Sequence, residues 1–508
     1  MECGWFNTYL ATDTYPFPTG EETRETAIRV TASRIKELEV RKERLLQEFN
    51  EVDHELQLAH ARHRQLLNQS APIYVLPFEV LSSIFMLCSE DAICPRFSFG
   101  IIASHVSSTW RAVATGTSML WSSIFINLSI ALKHTNSSFV KKLELLNMYL
   151  SRSGECLLSI RLQVNGNYPW PELLDTMAAH LWRCNELSIS IANNFSPIED
   201  AIEKLRALAA HHLERLSIRI KFHPHHPHQQ TQYELVKPQI LSGGADSLSF
   251  VRLSGVSGPL QPPLGNVTTL HIDGTHMDEL HLDQCRVFLG SMAKLNNLSL
   301  SRMKLKPGLP RESTPIHLPN LQSLRISGTD ELDRSRMLMA QLPLSQIHSL
   351  TLRGIDDLGD NQFPNVRSLT LSACSFPSTQ LGHTVDAFPS LTNIDCDLAV
   401  ISILLILSWT GDEAENDGIP AFWKKVETLS IRDMEPIHID LLVRLITARV
   451  KKSGAFRLLR LDHRSRSALR SKNELTQLEK MVTIEKCDYV EPWPPGLEYE
   501  DDDDSFWD

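Results

Sequence analysis

The sequence lacks the usual marks of a secreted or membrane protein. Its nine cysteines are odd in number and never form a Cys-x-x-Cys pair, which indicates reduced thiols rather than a disulfide framework. Met1–Trp5 has neither a basic segment nor an apolar core, so we expect no secretory signal. The most apolar run, Leu398–Trp409, is about a dozen residues long, whereas a membrane-spanning helix needs about 20. We therefore expect no membrane association and a location in the cytoplasm, the nucleus or both.

Excess positive charge is also missing. The 50 Lys and Arg residues against 61 Asp and Glu give a net charge of −11, which argues against a chain organised around nucleic-acid phosphates. With 42% hydrophobic and 22% charged residues, the composition is that of a globular protein. Its 508 residues predict about two to four structural units.

Sequence signatures of catalysis and of metal binding are absent as well. There is no Gly-Lys phosphate loop, no Gly-x-Ser-x-Gly elbow and no His-Glu-x-x-His pair. The histidine-rich segment His223–His228 contains two prolines that favour an extended loop, and no acidic or cysteine ligand lies near it. We therefore expect a protein that is not an enzyme, with no catalytic residues, no cofactor and no metal.

A long helix is predicted over residues 20–70, after a disordered segment at 1–19. Thr19 and Glu22 fit a capping box, and the sequence from Glu21 to Ser70 contains no proline or glycine. With Ile28 at heptad position a, nine of the twelve a and d positions up to Leu66 are apolar, which is typical of a coiled-coil-like stripe.

The partner of this stripe stays open. In a parallel homodimer Arg34 would face Glu39 favourably, but Glu48 would face Asp53 with like charge. Self-association through 28–66 is one interpretation. A helix that folds back on its own chain or stands partly free is the other.

Two apolar helical segments follow, over residues 73–88 and 101–114. Pro77 suits the first turn of a helix, where its missing N–H has no cost. The apolar residues of the first helix recur on one face, which comprises Val80, Leu81, Ile84, Phe85 and Cys88. The stripe of the second comprises Ile102, Val106, Trp110 and Val113. A third block, Met119–Ile124, closes the segment.

These three blocks resemble an F-box of the fungal type. They read Leu-Pro-x-Glu-Val-Leu-x-x-Ile-Phe, Ser-His-Val-x-x-x-Trp-Arg-x-Val-Ala and Leu-Trp-Ser-x-Ile, in the order that the family has. The linker Ser89–Gly100 is longer than that of a minimal F-box. The resemblance implies a three-helix module over 72–127 that binds the Skp-family adaptor of a cullin–RING ubiquitin ligase. The adaptor-binding and core positions that it implies are Leu76, Pro77, Val80, Leu81, Ile84, Phe85, Val106, Trp110, Leu120 and Trp121.

The unit Leu-x-x-Leu-x-Leu recurs through the rest of the chain, and it resembles a leucine-rich repeat. Clear copies begin at Leu213, Val267, Leu295, Leu321, Ile347, Val366, Leu391, Val426 and Phe456, and weaker ones at Cys184 and Leu248. The asparagine or cysteine that usually follows the strand is mostly missing, although Cys374 fits, so the repeats are irregular. Each unit predicts one strand of a parallel sheet followed by a return, and neighbouring units stack into a solenoid.

The fold class that we expect is mixed α and α/β. A long N-terminal helix and a three-helix F-box module precede an irregular leucine-rich-repeat solenoid with a curved parallel sheet. A linker helix and solenoid cap would occupy 128–183, the repeats 184–490, and an acidic disordered tail 491–508.

Residues beside the inward leucines fall on the concave face of the sheet. They are small, polar and in places basic, and they include His271 and the weak target-binding candidates Arg325, Arg353, Arg432 and Arg460. Such a strip would suit an acidic or phosphorylated protein segment. A solvated sheet face that binds nothing is the alternative.

Taken with the F-box resemblance, these features predict the substrate-recognition subunit of a ubiquitin ligase. The F-box would bind the adaptor, and through it a cullin, while the repeats bind an unknown protein target. Two other interpretations stay open. One is an F-box and leucine-rich-repeat scaffold that acts outside ubiquitination, and the other is a repeat-based binding protein with a degenerate helical module.

Overall fold

The structure is a computed structural model of the chain. It describes residues 21–69, 72–90, 99–129, 136–165, 170–192, 198–221, 239–255, 260–274, 280–303, 305–306, 315–328, 338–374, 376, 381–397, 425–452, 457–472 and 474–487. The chain divides into two units, Met1–Ile84 and Phe85–Asp508. The predictions made for 1–19, His223–His228, Leu398–Trp409 and 491–508 lie outside the described residues.

The first unit contains the predicted long helix. Helix α1 runs over Glu21–Gln69 without interruption, because no proline or glycine lies within it. A short 3-10 turn, Pro72–Val75, follows it. Helix α2 (Phe78–Glu90) begins directly after Pro77, whose carbonyl accepts a hydrogen bond from the N–H of Leu81 at 3.1 Å.

Helix α2 continues into the second unit, where two short helices come next. These are α3 (Phe99–Val106) and α4 (Ser108–Gly116). The Ser107 side chain caps α4 by accepting a hydrogen bond from the N–H of Trp110 at 3.2 Å. A 3-10 turn, Ser118–Trp121, then leads into the sheet.

Trp121 anchors these helices to the start of the sheet. The residue is fully buried, and its Nε1 donates a hydrogen bond to the carbonyl oxygen of Ala114 at 2.7 Å. Its ring packs against Tyr149 of helix α5 (Asn136–Arg152), with centroids 5.6 Å apart. The guanidinium of Arg152 lies 4.5 Å from the ring centroid.

A curved parallel sheet of 14 strands makes up most of the second unit, so the general fold class is confirmed. Its strands follow the chain in order, and each pairs with the next. They are β1 (Ser123–Ser129), β2 (Leu158–Asn165), β3 (Cys184–Ala192), β4 (Arg215–Lys221), β5 (Phe250–Gly255), β6 (Thr269–Asp273), β8 (Asn297–Ser301), β10 (Ser323–Ser327), β11 (Ser349–Arg353), β12 (Ser368–Ser372), β13 (Asn393–Cys396), β14 (Thr428–Ile431), β15 (Leu458–Leu461) and β16 (Thr483–Lys486). Strands β7 (Leu280–His281) and β9 (Leu305–Lys306) form a separate pair.

Helices occur in several of the returns between these strands. They are α6 (Trp170–Ala178), α7 (Ile198–Ala207), α8 (Leu282–Gly290), α9 (Leu381–Ala387), α10 (Ile439–Lys452), α11 (His463–Ser471) and α12 (Leu475–Glu479). Within the described residues, none of the helices combines the length and the apolar character that crossing a bilayer requires.

The core follows the leucine pattern of the sequence. Where the structure describes them, the residues that open the Leu-x-x-Leu-x-Leu units, such as Val267, Leu295 and Leu321, are at most 1% exposed. The second leucine of one unit is paired in register with the second leucine of the unit on the adjacent strand, as Leu298 and Leu324 are. Because side chains alternate along a strand, this register places one continuous apolar layer on one face of the sheet and the polar residues on the other.

The turns that follow the strands also form a ladder. Gly274, Arg302, Gly328 and Gly354 each donate the backbone N–H to the carbonyl of the last residue of the next strand, at 2.6–3.2 Å. Arg302 and Gly354 have positive φ angles of 49° and 62°, which turn the chain sharply out of the sheet. We call these four residues the turn ladder. Its hydrogen bonds join the turns of neighbouring strands through backbone groups alone.

Gly328 is the tightest point of the turn ladder, because a Cβ there would overlap the carbonyl oxygen of Gly354. We expect Gly328→Ala to lower the free energy of unfolding by about 2 kcal/mol, since the two turns would have to separate. Gly265→Ala is the matched control, because a Cβ at Gly265 meets nothing within 4 Å. Urea unfolding of both variants checks the prediction, and equal stabilities would contradict it.

Candidate functional site

Helix α2 presents apolar side chains to solvent in the first unit. Val80 and Ile84 are 43% and 36% exposed, whereas Leu81 between them is buried. The spacing of four residues places Val80 and Ile84 on the same side of the helix. Leu76 and Pro77, just before the helix, are exposed as well. Four of the five residues that the F-box resemblance implies in this unit are therefore open to a partner.

The implied residues of the second unit are mostly interior. Phe85 is fully buried against Phe99 and Trp110, with ring centroids 5.5 and 4.8 Å away. Leu120 and Trp121 are also buried. Aromatic pairs at these separations stabilise the packing of the helices, so these residues correspond to core positions rather than to contacts with a partner.

Helix α3 carries a second exposed apolar pair. Val106 is exposed, as the resemblance requires of a contact residue, and Ile102, one turn before it, is exposed too. Ile102 is absent from the predicted set, although its spacing from Val106 was a signal that could have included it. Trp110, the remaining implied residue, is half-buried.

The four arginines that the sequence predicts to bind a target form two pairs along the sheet. Arg325 is half-buried on β10, and Arg353 is exposed at the end of β11, the adjacent strand. Arg432 directly follows β14, and Arg460 lies on β15, the neighbouring strand.

Arg432 and Arg460 form ion pairs within the sheet. Nη2 of Arg432 lies 2.7 Å from Oδ1 of Asp395, and the Arg432 side chain is only 11% exposed. Nε of Arg460 lies 3.2 Å from Oε2 of Glu485. These carboxylates come from adjacent strands, and they compensate the positive charge of two arginines that the sequence predicts to contact a target. Arg432 and Arg460 therefore already have carboxylate partners within the sheet.

The middle of the polar face is more enclosed than the sequence predicts. Arg252, His271 and Ser299 are register partners on β5, β6 and β8, and each is less than one-tenth exposed. Nδ1 of His271 lies 2.8 Å from the hydroxyl of Ser299. His271 is thus a buried, hydrogen-bonded residue and not the surface histidine that strand alternation alone suggests.

The described part of the chain brings no three His, Cys, Asp or Glu side chains together in a way that could hold a metal ion. Its cysteines differ in exposure, and Cys156 and Cys487 are intermediate. Cys184, Cys285, Cys374 and Cys396 are buried, whereas Cys88 is exposed. Burial raises the pKa of the Cys184 thiol to about 12 from an ordinary value of 9.0. This thiol therefore favours the folded state below about pH 9, and its contribution is lost as the pH rises toward 12.

These differences predict selective alkylation. At pH 8, iodoacetamide should modify Cys88 at least tenfold faster than Cys184, because only an accessible thiolate reacts. Timed quenching followed by peptide mass spectrometry measures both rates. In concentrated urea the two rates should become similar. Fast labelling of Cys184 in the native chain would show that the start of β3 is open to solvent.

A search against models of known protein families found no match, and a search of curated proteins found none either. What the protein does must therefore be inferred from its own residues.

Proposed function

We propose that the chain is the substrate-recognition subunit of a ubiquitin ligase built from a Skp-family adaptor, a cullin and an F-box protein. The observation that carries the proposal is the exposed apolar side of α2, where Val80 and Ile84 face solvent within an F-box-like sequence. Monomeric proteins rarely leave such side chains exposed together unless a partner covers them.

The energetics favour a protein partner at this helix. Full burial of one Val, Leu or Ile side chain contributes about 1.5–3 kcal/mol. Leu76, Val80 and Ile84 are each about one-third to two-fifths exposed, so a partner groove can remove a substantial apolar area from water. An amphipathic helix that places residues spaced by three and four into an apolar groove is a common mode of recognition.

The parallel sheet supplies the second half of the proposed function. Buried leucines at every repeat and the turn ladder support a leucine-rich-repeat-like solenoid, whose polar face is a typical location for binding proteins. Arg353, which is exposed at the end of β11, is the residue proposed to contact an acidic or phosphorylated target segment. The chain would accelerate ubiquitin transfer by holding the target near the charged enzyme, with no bond chemistry of its own.

Reconstitution tests the proposal. The full chain is mixed with a purified Skp-family adaptor and its cullin, and the complexes are separated by size-exclusion chromatography. Co-elution of all three proteins is the expected result. Co-elution with the adaptor alone would favour a scaffold that acts outside ubiquitination, and no adaptor binding at all would overturn the F-box assignment.

A further inference from the structure

Helix α1 carries an exposed apolar stripe that adaptor binding does not explain. Ile28, Ile35, Leu45, Phe49 and Val52 each expose more than half of their surface. Most of the stability of a protein helix comes from packing its apolar face, and a helix of 49 residues with its stripe in water lacks that contribution. A partner helix of similar length would supply it.

We propose that this partner is α1 of a second copy of the chain, paired in the antiparallel direction. In antiparallel coiled coils an a position of one helix packs against a d position of the other. The register that we infer aligns Ile28 with Ala59, Thr31 with Leu56, Ile35 with Val52, Leu38 with Phe49, and Lys42 with Leu45. Residues 28–59 of the two copies then overlap along about 48 Å of helix.

The core layers of this register are compatible in size and character. Larger side chains meet smaller ones at the ends, as Ile28 meets Ala59. Lys42 is the one charged residue in the layers, and its long stem can pack while the ammonium group stays in water.

Flanking charges select the antiparallel direction. The positions that precede each a residue face one another across an antiparallel pair, so Arg34 faces Glu55 and Arg41 faces Glu48 of the second copy. Two-fold symmetry repeats both contacts, and all of them are attractive. A parallel pair would instead place Glu48 against Asp53, with like charge.

The same charges also select the register. Sliding one helix by a heptad places Arg41 against Arg41 of the second copy. Sliding it the other way places Arg34 against Arg62 and Glu48 against Glu48. The intrahelical pair of Arg34 with Glu37 is solvent-exposed, so it competes only weakly with the contact to Glu55.

Glu48→Lys in the full chain distinguishes the two directions by the sign of its effect. The antiparallel pair loses both contacts between Arg41 and Glu48, so we expect the dimer dissociation constant to rise about tenfold. In a parallel pair the same change would replace the repulsion from Asp53 by attraction and tighten the dimer. Sedimentation equilibrium measures the dissociation constant.

Two further variants complete the test. Arg41→Glu should weaken the dimer as Glu48→Lys does, and the two changes together should restore it. Glu51→Lys is the matched control, because it makes the same change of charge at an outward position and should leave the dimer unchanged. Tighter association of Glu48→Lys, equal weakening by Glu51→Lys, or a chain that stays monomeric at its highest soluble concentration would each overturn the proposal.

Discussion

Replacing Val80 and Ile84 together by aspartate should abolish capture of a Skp-family adaptor. Both side chains lie on the exposed side of α2, and a partner groove that accepts them would receive two unpaired charges instead. Removing an apolar anchor and burying an unpaired charge each weaken an interface by several kcal/mol, so we expect affinity to fall at least about 100-fold. Surface plasmon resonance with the immobilised adaptor measures the change.

The control for this prediction lies in the second unit. Val287 on α8 is 77% exposed, and Val287→Asp makes the same chemical change outside the F-box-like segment. This variant should bind the adaptor as the unchanged chain does. Leu76→Ala with Pro77→Ala should give an intermediate loss, because it removes contacts without adding charge. Unchanged capture by the double aspartate variant would exclude this side of α2 as the adaptor site.

Replacing Arg183 by leucine should destabilise the sheet unit more than any surface change. Arg183 is 2% exposed, and its guanidinium donates hydrogen bonds to the carbonyl oxygens of Leu150 and Cys156 and to the hydroxyl of Ser153, at 2.9–3.1 Å. These acceptors lie at and just beyond the end of α5, where a positive charge also offsets the helix dipole.

Leucine fills much of the same volume but removes the guanidinium donor from the Ser153 hydroxyl and the Cys156 carbonyl, whereas the Leu150 carbonyl keeps a hydrogen bond from the Ser153 hydroxyl at 3.0 Å. Since each such loss costs about 1–3 kcal/mol, we expect the free energy of unfolding to fall by about 3–5 kcal/mol. Arg183→Lys should recover only part of the loss, because an ammonium group cannot reach all three acceptors. Arg367→Leu, at an exposed arginine, should change stability by less than about 0.5 kcal/mol. A similar loss for both leucine variants in urea unfolding would show that the buried hydrogen bonds contribute little.

Local pattern was sufficient to predict the apolar layer of the sheet. The Leu-x-x-Leu-x-Leu unit combines the two-residue alternation of a strand with a buried leucine just before the strand. Both signals lie within one short stretch of chain. Strand β1 was harder to place, because Trp121 stands where the unit has its first leucine, whereas β2 has a matching copy at 157–162 that the sequence prediction did not include. The sheet begins at Ser123, whereas the first copy that the sequence prediction included, a weak one, begins at Cys184.

The ion pairs on the polar face join residues that are far apart in the sequence, so no local pattern predicts them. Asp395 and Arg432 are 37 residues apart, and they meet only because β13 and β14 are neighbours in register. The sequence showed that Arg432 lies on the polar face, but not that a carboxylate already holds it. Arg183 was missed for the same reason, because its acceptors belong to a different return of the chain.

The apolar side of α2 was predicted as a single face, and the structure divides it. Val80, Leu81, Ile84 and Phe85 recur at helical spacing, yet Leu81 and Phe85 are buried while Val80 and Ile84 are exposed. Spacing along a helix defines the width of an apolar stripe, but not how much of that width the rest of the protein covers.

The turn ladder has a consequence for how the chain tolerates changes in length. The step from Asn393 to its register partner Thr428 is nearly twice as long as the step from Ser349 to Ser368, yet both strand pairs are in register. Insertions in the returns are therefore accommodated, whereas an extra residue between Ser327 and Gly328 would shift a turn away from its hydrogen-bonded neighbour. Reporter peptides or whole domains intended for this protein should be grafted into the long returns.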